Sequence, residues 1–159
     1  MSDAAAGRVT GRLSLPDVID LLVRDSGQHL LTGPAHEDDL QGLERSVALP
    51  LPESFRTYLG RMGSGILYDR HEIFGPHSLQ LHDIEFVPSL PGLLRQLGPS
   101  LPAKLLPFHR GRGRVHAFDL SGGGAEPAPV RAVDGSATYP DLAAFLEAVV
   151  LPGPGFSGG

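Results

Sequence analysis

The stretch from Leu40 to Leu67, LQGLERSVALPLPESFRTYLGRMGSGIL, constrains the fold more than any other part of this chain. It places two amphipathic helices on either side of a Leu-Pro-Leu-Pro break and closes the second on glycines. Leu40, Leu43 and Val47 recur at spacings of three and four, so they share one helix face. Glu37, Asp38, Asp39, Glu44 and Arg45 are left for water. The acids lead, as suits the positive end of a helix that begins near Ala35. Pro50 and Pro52 stop that helix, and Pro52 stands where a second starts, because its missing N–H is not needed in a first turn. Phe55, Tyr58, Leu59 and Met62 then form an apolar stripe, with Arg56, Thr57 and Arg61 outside it. Gly63 and Gly65 end the helix and feed Ile66, Leu67 and Tyr68 into a first strand.

Upstream, Ser14 and Pro16 precede Val18, Ile19, Leu21 and Leu22, which predicts a short helix to about Arg24, ended near Gly27. QHLLTGP follows as an extended stretch. Beyond Gly65 the period shortens, and Ile66 to Tyr68, Glu72 to Phe74 and Leu79 to His82 read as strands of an antiparallel meander. Pro91 to Leu97 suits a short helix. Leu105 to His109 and Arg114 to Leu120 make a hairpin around Gly111 and Gly113. In its second arm Val115 and Ala117 face one way, and His116, Phe118 and Leu120 the other. The loop SGGGAEPAP at 121–129 leads to a strand over Val130 to Val133. Tyr139 to Val150 carries Leu142, Phe145, Leu146 and Val149 at helical spacing. Helices first, strands in the middle and a helix last predict an α+β domain over residues 13–151. Residues 1–12 and 152–159 are expected to be flexible ends.

A length of 159 residues fits one domain. Hydrophobic residues at 41% and charged residues at 19% describe a folded globular chain. The absence of cysteine excludes disulfides and thiolate metal sites. No run approaches the roughly 18 to 20 apolar residues of a membrane helix, and MSDAAAGRVTGRL lacks the order of a secretory signal, so a cytoplasmic location is expected. A net charge of −5 argues against nonspecific binding to nucleic acid, which needs basic surface, and favours a basic partner.

His71, His77, His82, His109 and His116 raise the question of a metal site, but they show neither a helical His-x-x-x-His nor a recognised spacing with acids. They read as surface or half-buried residues, although His109 and His116 could meet across the hairpin. No metal and no cofactor are expected. RGRGR at 110–114 offers arginine donors and glycine amides to an anion, yet lacks the lysine and hydroxyl of a P-loop, and it reads as a hairpin turn with solvated arginines. Ser64 precedes a strand and is no nucleophile elbow. The acid pairs, Asp38 with Asp39 and Asp83 with Glu85, read as solvated faces. With no catalytic constellation, binding is the expected activity, and a hydrolase using His109 or His116 is the remote alternative.

Leu51, Pro52, Phe55, Tyr58, Leu59, Gly63 and Gly65 resemble the hallmark of the SUKH superfamily, also called the SMI-KNR family. That hallmark is an acidic helix, a Leu-Pro-x-x-Tyr-x-x-Phe-Leu helix and an Asn-Gly-Gly-like end. Here the two aromatics are swapped in type, and Met62 and Ser64 replace the usual residues around the glycines. EIFG at 72–75, LLPFHRGRGRVHAFDL at 105–120, PVRAVDG at 129–135 and the last helix follow in the family's order, except that Arg114 stands where an aspartate is usual after Gly113. The resemblance covers roughly residues 35–150. It implies a SUKH-like single domain, with a central, mainly antiparallel sheet packed against N-terminal helices and a C-terminal helix. It also implies an immunity protein, not an enzyme, that binds a cognate bacterial toxin, in many cases a basic nuclease, and occludes its active site. The alternative it implies is a regulatory scaffold or adaptor in cell-wall or signalling control. On that reading Asp69, Glu72, Asp83 and Glu85, the acids around the first strands, are the expected partner-binding surface, with no direct nucleic-acid or membrane contact.

Overall fold

Each helix begins where a nearby side chain can accept from its unpaired N–H groups. The computed structural model describes residues 13–152, so the expected flexible ends, 1–12 and 152–159, lie outside it except for Pro152. Helix α1 (Leu15–Arg24) is capped by the Ser14 hydroxyl, which accepts from the Asp17 N–H at 3.2 Å. Helix α2 (Glu37–Val47) opens with the Asp39 carboxylate accepting from the His36 N–H at 3.1 Å. Helix α3 (Glu53–Met62) starts after Pro52, whose ring carries no hydrogen-bond acceptor. Glu126 supplies the acceptor from 72 residues away, taking the Ser54 N–H at 2.7 Å. Glu44 joins α2 to α3, since it accepts from the Leu51 N–H at 2.9 Å and pairs with Arg56 at 3.1 Å, while Arg56 also bonds Glu37. The Leu-Pro-Leu-Pro break is therefore held in one shape by a half-buried ion network.

The strands are β1 (His29–Leu31), β2 (Gly65–Leu67), β3 (His71–Ile73), β4 (Leu79–Leu81), β5 (Ile84–Val87), β6 (Leu105–Gly111), β7 (Arg114–Asp119), β8 (Val130–Ala132) and β9 (Thr138–Tyr139). Seven of them form one antiparallel sheet in the order β1-β2-β3-β6-β7-β8-β9, while β4 and β5 form a separate hairpin. Helix α4 (Leu90–Leu97) lies between β5 and β6 in sequence and packs on α2 and β6. Helix α5 (Leu142–Phe145) continues into a π-helical turn, Leu146–Val150, and packs on α1 and β9. Phe55 from α3, Phe108 and Phe118 from the sheet and Phe145 from α5 meet at the centre, with Phe108 and Phe118 stacked at 4.4 Å between ring centroids. The result is the expected α+β architecture, and among the described residues no helix is long and apolar enough to cross a membrane.

Three details depart from the sequence reading. The extended stretch before α2 becomes β1, an edge strand whose three residues pair with Leu67, Ile66 and Gly65. A strand at Ile84–Val87 was not anticipated, although the alternation of Ile84, Glu85 and Phe86 is the signal for it. The last helix starts at Leu142 rather than Tyr139, because Thr138 and Tyr139 pair with β8 and Asp141 caps the helix by accepting from the Ala144 N–H at 2.8 Å.

Tyr58, on the buried stripe of α3, is only 1% exposed, and among the described residues its hydroxyl has no hydrogen-bond partner. The seam it lines with Phe55, Ile73, Phe108, Leu142 and Leu146 has no room for a water molecule, and burial pushes the phenol pKa up. A buried unpaired hydroxyl is unfavourable, so Tyr58→Phe should raise stability by about 1 kcal/mol, measured as a higher denaturant midpoint at unchanged slope. A lower midpoint would mean that the hydroxyl has a partner after all.

Candidate functional site: an exposed hairpin and a buried histidine chain

Strands β4 and β5 are joined by His82 and Asp83, both at positive φ (53° and 65°), the pattern of a type I′ turn, whose twist matches the flanking strands. Only the base of this hairpin is buried, through Leu79 at 7% and Val87 at 1% exposure. Leu81 lies opposite Ile84, so those two share one face, and Phe86 follows at the register shift between the Gln80–Glu85 and Leu79–Val87 pairs. All three side chains are open to solvent: Leu81, Ile84 and Phe86 are 39%, 58% and 48% exposed. Asp83 sits at the tip of the hairpin, and Glu85 lies opposite Gln80.

The four acids expected to form one surface are therefore divided between two sheets. Asp83 and Glu85 belong to the hairpin, whereas Asp69 lies in the exposed turn between β2 and β3, at φ 59°, and Glu72 lies on β3. Glu72 is also engaged, since its carboxylate accepts from Arg110 Nε at 2.6 Å across the β3–β6 pair. The exposed apolar group on the hairpin was missed in the sequence, because Leu81, Ile84 and Phe86 there look like ordinary core positions.

The expectation of surface or half-buried histidines holds for His77 and His82, which are exposed, and fails for three others. His71, His109 and His116 are 2%, 0% and 3% exposed. The cause is strand order. Strand β6 lies between β3 and β7, with Ile73 opposite His109 and His109 opposite His116, so His71 reaches His109 on the diagonal. Gly111 lies beside His71 without a side chain, and a Cβ there would come within 2.8 Å of His71 Nδ1. The rings link in a row: His71 Nδ1 to His109 Nε2 at 3.0 Å, and His109 Nδ1 to His116 Nδ1 at 3.1 Å. Phe145 covers them, at 4.9 Å from the His109 ring and 4.7 Å from that of His116.

Burial favours the neutral form of all three imidazoles. It pushes the His71 pKa down to about 4, helped by the charges of Arg112 and Arg70, and pushes that of His109 lower still. His116 is lowered by burial and by Arg114, against an opposing pull from Asp134. A neutral imidazole has one N–H and one lone pair. His109 uses both its nitrogens, so it donates to one neighbour and accepts from the other. Two arrangements result. Either every proton points from His71 towards His116, leaving a lone pair on His71 Nε2 and an N–H on His116 Nε2, or every proton points the other way and the outer ends are exchanged. The three rings meet at different nitrogens of His109 rather than around one point, and among the described residues no group of His, Asp or Glu is arranged to hold a metal ion.

Ser64 is structural. Its N–H donates to Thr32 Oγ1 at 3.1 Å, its carbonyl accepts from the Thr32 N–H at 2.8 Å, and its hydroxyl donates to the His77 carbonyl at 3.2 Å. The arginine-rich turn at 110–114 forms a tight hairpin with Arg112 and Gly113 at positive φ.

A search of curated proteins found no match to this chain. The helix pair with its glycine close and the antiparallel sheet between helices are matched by a family model over residues 34–148, and the chain belongs to the SMI1 / KNR4 family (SUKH-1).

Proposed function

We propose that this chain is a cytoplasmic immunity protein that binds a cognate bacterial toxin domain and neutralises it by covering its active site, with the β4–β5 hairpin as the part that meets the toxin. The supporting observation is that Leu81, Ile84 and Phe86 are exposed together on a hairpin that also carries Asp83 and Glu85. Contiguous exposed apolar groups with charge around them are what a protein interface uses, the apolar part for holding and the charges for approach. The net charge of −5 steers towards a basic partner, such as a nuclease toxin. Of the four acids, Asp83 and Glu85 are the primary contacts and Asp69 an outlying one. Glu72 contributes least, because Arg110 already holds it.

The first test is to express the full tagged chain in its native host and identify by mass spectrometry what stays bound through a salt wash. Recovery of a toxin domain encoded beside it supports immunity. Recovery only of kinases or wall enzymes would replace this reading with a regulatory scaffold. With the toxin in hand, Asp83→Asn with Glu85→Gln should slow association about 3- to 10-fold in low salt, with little change in dissociation. Asparagine is chosen at 83 because it tolerates the positive φ there. Ile84→Ala with Phe86→Ala should speed dissociation by about 10-fold or more. Unchanged kinetics in both pairs would remove the hairpin from the interface.

A further inference from the structure

The outer ends of the histidine chain line two separate hollows. The first, about 170 Å³, is lined by Arg70, His71, Arg112, Tyr68 and the apolar turn from Ala148 to Pro152. The second, about 330 Å³, is lined by Arg112, Arg114, His116, Tyr139, Gly111 and the same Ala148 and Val149. In a chain of net charge −5 these are cationic places, and among the described residues no carboxylate lines either hollow. They differ in balance. Arg70 and Arg112 both act on His71, whereas Asp134 opposes Arg114 at His116. The first hollow is thus the better anion site, and its size suits one small ion. Val149, Val150 and Leu151 form its apolar wall. Its polar groups come from the β2–β3 turn, from β3 and from the β6–β7 turn, and two guanidinium groups with an imidazole offer more donors than the two oxygens of a carboxylate would take.

We propose that the Arg70, His71 and Arg112 hollow binds a phosphate-class oxyanion, with His71 Nε2–H as a donor, and that binding sets the proton positions of the whole histidine chain. An anion accepts hydrogen bonds, so it requires the N–H at His71 Nε2. His71 Nδ1 must then accept from His109 Nε2–H, and His109 Nδ1 must accept from His116 Nδ1–H. His116 Nε2 is left with a lone pair, so occupancy of the first hollow withdraws the N–H donor from the second. The two hollows compete through one row of protons, without any shift in backbone. This site is apart from the β4–β5 hairpin and stands whether or not the chain binds a toxin.

The test uses full chain carrying ¹⁵N-labelled histidine at about pH 7.5, where neutral rings report their tautomer in ring ¹⁵N spectra. Inorganic phosphate and O-phosphoserine are titrated in separately, with sodium chloride holding ionic strength constant. The expected result is one saturable transition in which His71 Nε2 becomes protonated and His116 Nε2 deprotonated together. Saturation by inorganic phosphate alone supports a free ion as the ligand, and saturation by both supports a phosphate monoester. Arg112→Gln should weaken the transition about 10-fold or more. Gly111→Ala, which puts a methyl against His71 Nδ1, should leave the response of His71 but remove that of His116. No saturable change beyond that given by chloride, an equal response to acetate, or a response of His71 without His116 in the unaltered chain would each overturn the proposal.

Discussion

Unfolding at about pH 5.5 should take up about two protons that unfolding at about pH 8 does not. His71 and His109 stay neutral in the fold because burial holds their pKa values well below the ordinary 6.5, and burial lowers that of His116 in the same direction. In the unfolded chain they protonate near 6.5. Between pH 6.5 and about 4 the unfolded state therefore binds more protons than the native state, and stability falls as pH falls. Each such group contributes about 1.4 kcal/mol per pH unit once its unfolded form is fully charged. From pH 7 to pH 5, His71 and His109 together remove about 4 kcal/mol, a large share of the 5 to 15 kcal/mol typical of a domain. The lowered carboxylates Asp39, Asp119 and Asp134 act in the same direction but from an ordinary value of 3.8, so their window lies below that of the histidines. Denaturant unfolding at half-unit steps from pH 8 to pH 5 measures the slope. A slope corresponding to less than one proton in this window would show that the histidine chain is charged or open to water.

Gly63→Ala and Gly65→Ala should each lower stability by about 3 to 5 kcal/mol. Both glycines sit at positive φ, 77° and 142°, where a side chain is strained. Space is the greater obstacle. A Cβ on Gly63 would lie 1.9 Å from the Gly33 carbonyl oxygen, and one on Gly65 would lie 2.1 Å from the Leu30 carbonyl oxygen. Both contacts are with backbone, which cannot turn aside as a side chain can. Relief requires β1 to move off β2, breaking the pairs of Leu30 with Ile66 and Leu31 with Gly65, as well as the bonds between Thr32 and Ser64. Gly60 is the control. It lies in α3 with nothing within 4 Å of a Cβ, and Gly60→Ala should raise stability by about 0.5 to 1 kcal/mol through helix propensity. Chemical denaturation of the three variants checks the set, and a loss below about 1 kcal/mol at both Gly63 and Gly65 would mean that β1 is not held against the glycines.

The glycine pair shows how far local sequence reaches in this chain. Gly63 and Gly65 read as the end of α3 from their order alone, because a helix stripe stops there and a strand pattern begins. Why neither admits a methyl group depends on Gly33 and Leu30, which lie two helices earlier in the chain, and no period in the sequence shows that approach. The candidate surfaces divide in the same way. Asp83 and Glu85 were legible as acids beside a strand, but their company of Leu81, Ile84 and Phe86 on an outlying hairpin was not. Apolar residues in a strand pattern look alike whether the face meets a core or open solvent.

What this sequence determined by itself is whatever depends on near neighbours: the stripes of α1, α2 and α3, the breaks at Pro50 and Pro52, the hairpin around Gly111 and Gly113, and the α+β order that the family match over residues 34–148 bears out. Only the tertiary structure decided the histidine chain. His71 comes from β3 and its partners from β6 and β7, strands that are adjacent in space although β4, β5 and α4 intervene in sequence. A polar ring is buried stably only where another group completes its hydrogen bonds, and the groups that do so here are two more histidines brought alongside by that strand order.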